Sequence, residues 1–353
     1  MKEKSKFFLS LLLTIIIVFI ASSFVLYLVD KNIPEYLEEN SSKKVNFIEI
    51  DKRNSQSITG SISSSLSNKI WLIVEKNDLS KNIYESMYFT DDFIGTAVVV
   101  TNDGWFVSKK INHSKNIALV NNENKIIDIE TVINDDVLGL SYIKIKQNGL
   151  NPIGIIDSSS LGAGQNVYII KPNLYDYQNE IIPASITNIN SRFIKEKKDL
   201  IQNSEDIVIY GVLSLNEDPG LPVVNDNAEM LGFTYSYDDN TYLLPSNYIR
   251  YSLTRLFNND KNIDYPSLNI EYIDLNKMVF SIDMPNNGIY VYKSSNNLIK
   301  EGDIIQKLNE DELNKFRSLN TVLLDYKPGD EVTLTILRDN KQQELKIKLS
   351  AFK

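Results

Sequence analysis

The chain has no cysteine, and His113 is its single histidine. Without thiols there are no disulfides, no thiolate metal sites and no cysteine nucleophile. One imidazole rules out a multi-histidine metal centre, and no metal or other cofactor is expected. Glycine is scarce: 14 residues in 353, about 4% against a usual ~7%. Positive charge is also short. Forty-six acidic residues against 37 basic ones leave a net charge of −9. Phosphate recognition needs a basic face, so nucleic acid is excluded as the main partner. Lys195-Glu-Lys-Lys198 is a basic cluster beyond the N-terminus, but a short solvated loop is the simpler reading.

What is present is apolar patterning. At 353 residues and 42% hydrophobic, the chain can build about two domains on a prior of ~150 residues each. Residues 1–6 are basic. Phe7 to Val29 then carries no charge over 23 residues. As a helix at ~1.5 Å per residue this run covers roughly 34 Å, enough for a hydrocarbon core of ~30 Å. A cleavable signal peptide has a shorter apolar region. Ala21-Ser-Ser23 resembles a cleavage site, but the run continues past it. The expectation is an uncleaved single-pass anchor in the cytoplasmic membrane over 7–29. Residues 1–6 then lie inside and the bulk of the chain outside. Residues 30–66 are polar and serine-rich, which predicts a tether without regular structure, a short helix near Pro34–Glu39 excepted.

From residue 67 onward the pattern changes to short strands and turns. Ile70–Val74, Phe93–Thr101, Trp105–Ser108, Ile117–Val120, Ile126–Ile129 and Leu140–Ile145 read as strands. So do Gln165–Ile170, Ile181–Ile189, Ile207–Leu213 and Met230–Tyr235. Asn102-Asp-Gly104 marks a hairpin turn. Many short strands without long helices mean a β-sandwich or barrels. One helix is expected after Ser246, which can cap it, because Ile249, Leu253 and Leu256 recur at helical spacing. Residues 257–267 read as a linker. Strands around Leu268–Ile273 and Gly288–Tyr292, and a helix near Leu313–Leu324, follow.

Three stretches carry a family resemblance. Glu217-Asp-Pro-Gly-Leu-Pro-Val-Val-Asn225 fits, without a gap, the nucleophile loop Gly-Asn-Ser-Gly-Gly-Pro-Leu-Val-Asn of HtrA-type trypsin-like serine proteases. Asp103-Gly-Trp-Phe-Val-Ser-Lys-Lys-Ile111 fits the stretch around the catalytic histidine. Gly139-Leu-Ser-Tyr-Ile-Lys-Ile145 fits the stretch that begins with the orienting aspartate. A plain surface turn at Asp218-Pro219 is the bland alternative for the first stretch. Near the C-terminus, Lys300-Glu-Gly-Asp-Ile304 and Lys327-Pro-Gly-Asp-Glu-Val-Thr-Leu-Thr-Ile-Leu-Arg338 resemble bacterial PDZ domains. The resemblance implies a mostly β chain: a trypsin-like double β-barrel over 67–257 and a PDZ domain over 258–353, preceded by one transmembrane helix.

The resemblance also places the catalytic triad, on residues that cannot perform it. Ile111 stands at the base, Gly139 at the carboxylate and Pro219 at the nucleophile. A proline there has neither a hydroxyl nor the N–H that serves as an oxyanion donor. His113 is two positions off the base, ~6–7 Å along an extended chain, too far for a bond of about 3 Å. It reads as a loop histidine. Asp135 and Asp136 are off register and read as turn residues. Ser141 and Lys144 have opposite parity on a strand and would face opposite sides. The implied protein is a catalytically inactive HtrA-like scaffold, adaptor or regulator of envelope protein quality control. An active membrane-bound endopeptidase with a displaced triad is the alternative.

PDZ domains add a peptide as an extra strand and hold its terminal carboxylate in a loop. The resemblance puts that loop at Ser267-Leu268-Asn269-Ile270, where Asn269 replaces the usual glycine. Asn320 and Leu324 are candidates for the opposite groove wall. Peptides or C-terminal segments of envelope proteins are the implied partners. A homotrimer, or assembly with an active paralogue, is a hypothesis from the same source. A PDZ fold used only for packing remains the rival reading.

Overall fold

In the computed structural model the described residues are 52–76, 86–89, 92–111, 116–172, 179–191, 194, 196–213, 217–237, 240–258, 263–279, 285 and 287–352, with residues 20 and 23. Two compact units divide the chain, Met1–Ser55 and Gln56–Lys353. The expected span over 7–29 lies outside the described residues, apart from residues 20 and 23. Among the described residues no helix is long and apolar enough to cross a membrane.

The first described element is a helix, α1 (Lys52–Leu66), where an irregular tether was expected. Serine lowers helix propensity only modestly, and Ile58, Ile62 and Leu66 recur every fourth residue, which puts them on one face. Ile62 and Leu66 are fully buried and Ile58 packs beside them, so tertiary burial holds the helix.

Six strands follow: β1 (Ile70–Glu75), β2 (Phe93–Val99), β3 (Trp105–Lys109), β4 (Ile117–Val120), β5 (Ile126–Asp135) and β6 (Leu140–Ile145). They close antiparallel into a barrel in the order β1-β2-β3-β6-β5-β4. The turn between β2 and β3 needs glycine: Gly104 has φ +101°, and a Cβ there would lie 2.7 Å from the Gln147 carbonyl oxygen.

Next come β7 (Asn166–Pro172), β8 (Asn179–Ser191), β9 (Ile201–Asn203), β10 (Ile209–Leu213), β11 (Pro222–Val224), β12 (Met230–Tyr237) and β13 (Asn240–Pro245). All but β9 close into a second barrel, ordered β10-β13-β12-β11-β7-β8. Helix α2 (Ser246–Phe257) ends it. The cap position is Pro245, not Ser246. Ser246 is instead the first helical residue, and its hydroxyl donates to the Ile156 carbonyl at 2.6 Å.

Beyond α2, the expected linker contains a strand, β14 (Tyr265–Ser267), paired with β21 (Ser350–Phe352). The remaining strands are β15 (Ile270–Asp274), β16 (Ile289–Ser294), β17 (Ile304–Leu308), β18 (Asp311–Glu312), β19 (Glu331–Arg338) and β20 (Lys341–Lys348). They form a sheet in the order β20-β19-β17-β16-β15-β9, with β18 on β17. Its helix, α3, is Leu319–Leu323 only, shorter than the Leu313–Leu324 expected. A core of Leu268, Ile270, Tyr272, Leu319 and the inward residues of β16, β17 and β19 lies beneath it.

Candidate functional site

The two barrels meet along a crevice of about 470 Å³. Ile73, Phe93, Lys109 and Ile111 line it from the first barrel, Asp218 and Pro219 from the second. The fold thus brings together two of the three positions that the sequence marked as degenerate triad members. Ile111 is buried in the first barrel's core. Its N–H donates to the Ser141 hydroxyl at 2.9 Å, which in turn donates to Asn134 Oδ1 at 2.6 Å. Gly139 does not line the crevice, but its carbonyl accepts from the neighbouring Lys110 amide at 2.8 Å. It has φ +64°, and a Cβ there would meet nothing within 4 Å. His113 lies outside the described residues.

The loop carrying Pro219 is fastened through its own backbone. The Glu217 N–H donates to Thr241 Oγ1 at 3.1 Å, and the Glu217 carbonyl accepts from Ser236 at 2.8 Å. Thr234 Oγ1 donates to the Asp218 carbonyl at 2.7 Å and accepts the Leu221 N–H at 2.8 Å. The Gly220 N–H donates to the Thr234 carbonyl at 2.8 Å. Thr96 closes the loop against the first barrel, donating to the Gly220 carbonyl at 3.0 Å. Gly220 has φ +93°, and a Cβ would sit 2.6 Å from the Lys109 Cβ, so only glycine fits between the barrels.

This geometry bears on chemistry. Acyl transfer needs amide donors aimed at the developing oxyanion. Position 219 offers none, being proline, and the amide two residues earlier is bonded to Thr241. Among the described residues lining the crevice, the hydroxyl is that of Thr96, and none has an imidazole. No group of three or more His, Cys, Asp or Glu among the described residues could hold a metal ion.

Asp135 and Asp136 play different parts. Asp136 pairs at the surface with Lys110, 2.9 Å away. Asp135 ends β5 and is buried. Its carboxylate accepts from the Ser252 hydroxyl of α2 at 2.6 Å, the Tyr265 hydroxyl of β14 at 2.5 Å and the Leu138 amide at 3.1 Å. Burial, then the adjacent carboxylate, raises the Tyr265 pKa, so the phenol stays a donor. One carboxylate thereby fastens the first barrel to α2 and to β14 of the two-stranded β14-β21 sheet. Nothing in the local sequence distinguishes it from a turn residue.

The second candidate site is the edge of β15. Leu268 and Ile270 are buried in the C-terminal core. Asn269 does adopt the left-handed backbone expected of the position, φ 54°. Its N–H donates to the Ser267 hydroxyl at 2.7 Å. Asn320, on α3, is buried and faces β9: its Nδ2 donates to the Asn203 carbonyl at 3.0 Å and to the Asp206 carbonyl at 2.8 Å. Leu324, just past α3, packs against the core shared by the barrels. Sequence reading missed Gln202, Ser204 and Glu205, which lie beside these residues. Three residues, Ile-Gln-Asn, carry no strand period, and only the fold reveals them.

Two closed six-stranded barrels followed by an antiparallel sheet with one short helix define an HtrA-like, trypsin-like protease fold with a C-terminal PDZ domain. The PDZ domain family model matches residues 277–349. The serine protease Do-like HtrA of Lactobacillus helveticus is 23% identical over 281 residues, 72% of this chain and 65% of that protein. Its namesake from Lactococcus lactis subsp. lactis (strain IL1403) is 23% identical over 242 residues, 61% and 59% respectively. The match thus spans less than two thirds of either relative's length. Among solved structures, the HtrA-type protease AlgW with a decapeptide superposes with a TM-score of 0.58 at 12% identity, covering 83% of this chain and 98% of that one. AlgW with a tripeptide gives 0.59 at the same identity, covering 83% and 97%. At that identity the likeness speaks for the fold.

Proposed function

We propose that the protein is an HtrA-like pseudoprotease. A membrane anchor over 7–29 holds it at the cytoplasmic membrane with its C-terminal bulk outside. Its PDZ domain binds extended or C-terminal peptide segments of envelope proteins, and it works as scaffold, adaptor or regulator in envelope protein quality control. Assembly as a homotrimer, or with an active paralogue, belongs to the same proposal.

The observation that carries this reading is the loop 217–221. Pro219 stands where the nucleophile would be, and the Glu217 amide is engaged by Thr241. The loss of a single oxyanion donor lowers rate on the order of 10²–10³, and the nucleophile is missing as well. Support for peptide binding comes from the PDZ match and from AlgW, which was solved with peptides.

Turnover of casein and of a fluorogenic peptide pool by the full-length protein tests the reading. The expected rate equals the buffer blank. Turnover abolished by His113→Ala would instead establish an endopeptidase with a displaced triad.

A further inference from the structure

We infer that the PDZ groove is occupied by the chain's own segment 201–206, which binds there as a resident strand. The inference rests on the reading of β15 and α3 as a peptide groove, and it concerns how that groove is regulated.

Strand β9 lies in the connection between β8 and β10, yet it belongs to no barrel. It pairs antiparallel with β15, Ile201 opposite Ile273, Gln202 opposite Tyr272 and Asn203 opposite Glu271. The ladder continues through the Ser204 N–H, which donates to the Ile270 carbonyl at 3.1 Å. The segment therefore runs towards the loop 267–270 and arrives there at its end. An incoming peptide that adds to this sheet edge and offers its terminal carboxylate to that loop must run the same way.

A carboxylate is already at the loop. The Glu205 side chain accepts from the Ser267 hydroxyl and from the Ser204 hydroxyl, the latter at 2.8 Å. Ser267 in turn accepts the Asn269 N–H at 2.7 Å. The Ile270 N–H is directed at Ser204 Oγ, 3.4 Å away. Two of the loop's amides thus face hydroxyls, and the negative charge beside them is internal. From the helix side, Asn320 clasps the segment through the Asn203 and Asp206 carbonyls. The Tyr272 hydroxyl supports both sides, bonding Asn320 Oδ1 and lying 3.3 Å from Gln202 Oε1. Gln202, Ser204 and Asn320 are all nearly inaccessible to solvent. The segment fills each role of a ligand: ladder hydrogen bonds, a side chain under the helix and an anion at the loop.

A ligand that needs an otherwise occupied site binds with its intrinsic affinity reduced by the fraction of molecules in which the site is vacant. External peptides accordingly bind only in competition with 201–206. Weakening the segment should tighten their binding without any change to β15 or α3.

Hydrogen exchange on the full-length chain, with a peptide probe, tests this. With Ser204 bonded to Ile270, strand alternation turns the Tyr272 amide towards Gln202. The wild type should protect that amide. Gln202→Pro removes a ladder donor and should speed its exchange at least about tenfold. The Val291 amide, bonded to Asp303 at 2.9 Å within the same domain, should keep its protection. Glu205→Ala, which leaves the backbone free to pair, should produce a smaller loss in the same direction, and it serves if the proline variant does not fold. The probe is the octapeptide of residues 197–204 with a free carboxylate on its terminal serine. It should bind Gln202→Pro at least about tenfold tighter than wild type. A Tyr272 amide that exchanges as fast in the wild type as in either variant overturns the inference, as does equal peptide affinity for all three. Tyr272 protection lost in the variants with no peptide binding to any of them upholds the resident strand and sinks the peptide-binding function instead.

Discussion

The crevice between the barrels and the edge of β15 differ in what each of them lacks. The crevice is open, about 470 Å³ between the two barrels, and among its described lining residues there is no imidazole and no hydroxyl besides that of Thr96. Ile111 is core, Gly139 has no side chain, and the Glu217 amide is committed to Thr241. At β15 the recognition atoms are all in place, and the space is filled by β9. The first site lacks atoms and the second lacks room. Room can be restored by moving a segment held by hydrogen bonds, each worth about 1 kcal/mol net. Missing atoms cannot be restored by any motion. On the function proposed above, the groove is a regulated site and the crevice a retired one.

The comparison can be broken most forcefully at Asp135, which holds the two regions in one body. Asp135→Ala leaves the Ser252 and Tyr265 hydroxyls and the Leu138 amide without their acceptor. With buried donors unsatisfied at about 1–3 kcal/mol each, the loss should be at least about 3 kcal/mol by urea unfolding. A loss under about 0.5 kcal/mol would remove Asp135 from its role. Asn320→Ala comes next. It frees the Asn203 and Asp206 carbonyls, should weaken β9 by about 2 kcal/mol, and should speed Tyr272 amide exchange roughly thirtyfold while exchange in the barrels is unchanged. Thr234→Val acts on the crevice alone. It cuts the bonds to Asp218 and Leu221 for about 1–2 kcal/mol and should raise exchange at Leu221 without touching Tyr272. The smallest effect is expected at Lys110→Ala. Its ion pair with Asp136 is between exposed side chains, and such pairs are worth about 0–1 kcal/mol; the melting curve should barely move.

Much of this fold was legible in the sequence. Strands such as Phe93–Val99 and Leu140–Ile145 announce themselves as apolar runs between turns, because each is buried against its own barrel. The run from Lys327 to Arg338 marks the PDZ hairpin for the same reason. Ile111 and Pro219 stand out because their flanks resemble the protease pattern, and the fold brings both to one crevice. Other elements owe their existence to partners far away in sequence. Helix α1 hides in serine-rich sequence, its signal reduced to Ile58, Ile62 and Leu66. Strand β9 is too short to show a period and forms by pairing with residues about seventy positions on. Tyr265–Ser267 looks like linker because Pro266 and the polar residues before it mask a strand whose partner is the C-terminus. Asp135 reads as a turn residue until Ser252 and Tyr265 are seen around it.

The central claim is that a protease frame survives without the means to attack an amide bond. Intact-mass analysis after prolonged incubation with a serine-directed fluorophosphonate addresses it directly. The account predicts an unmodified mass, since Pro219 offers no hydroxyl where the nucleophile would stand. A single adduct mapped to one serine, and lost on replacing His113, would contradict it.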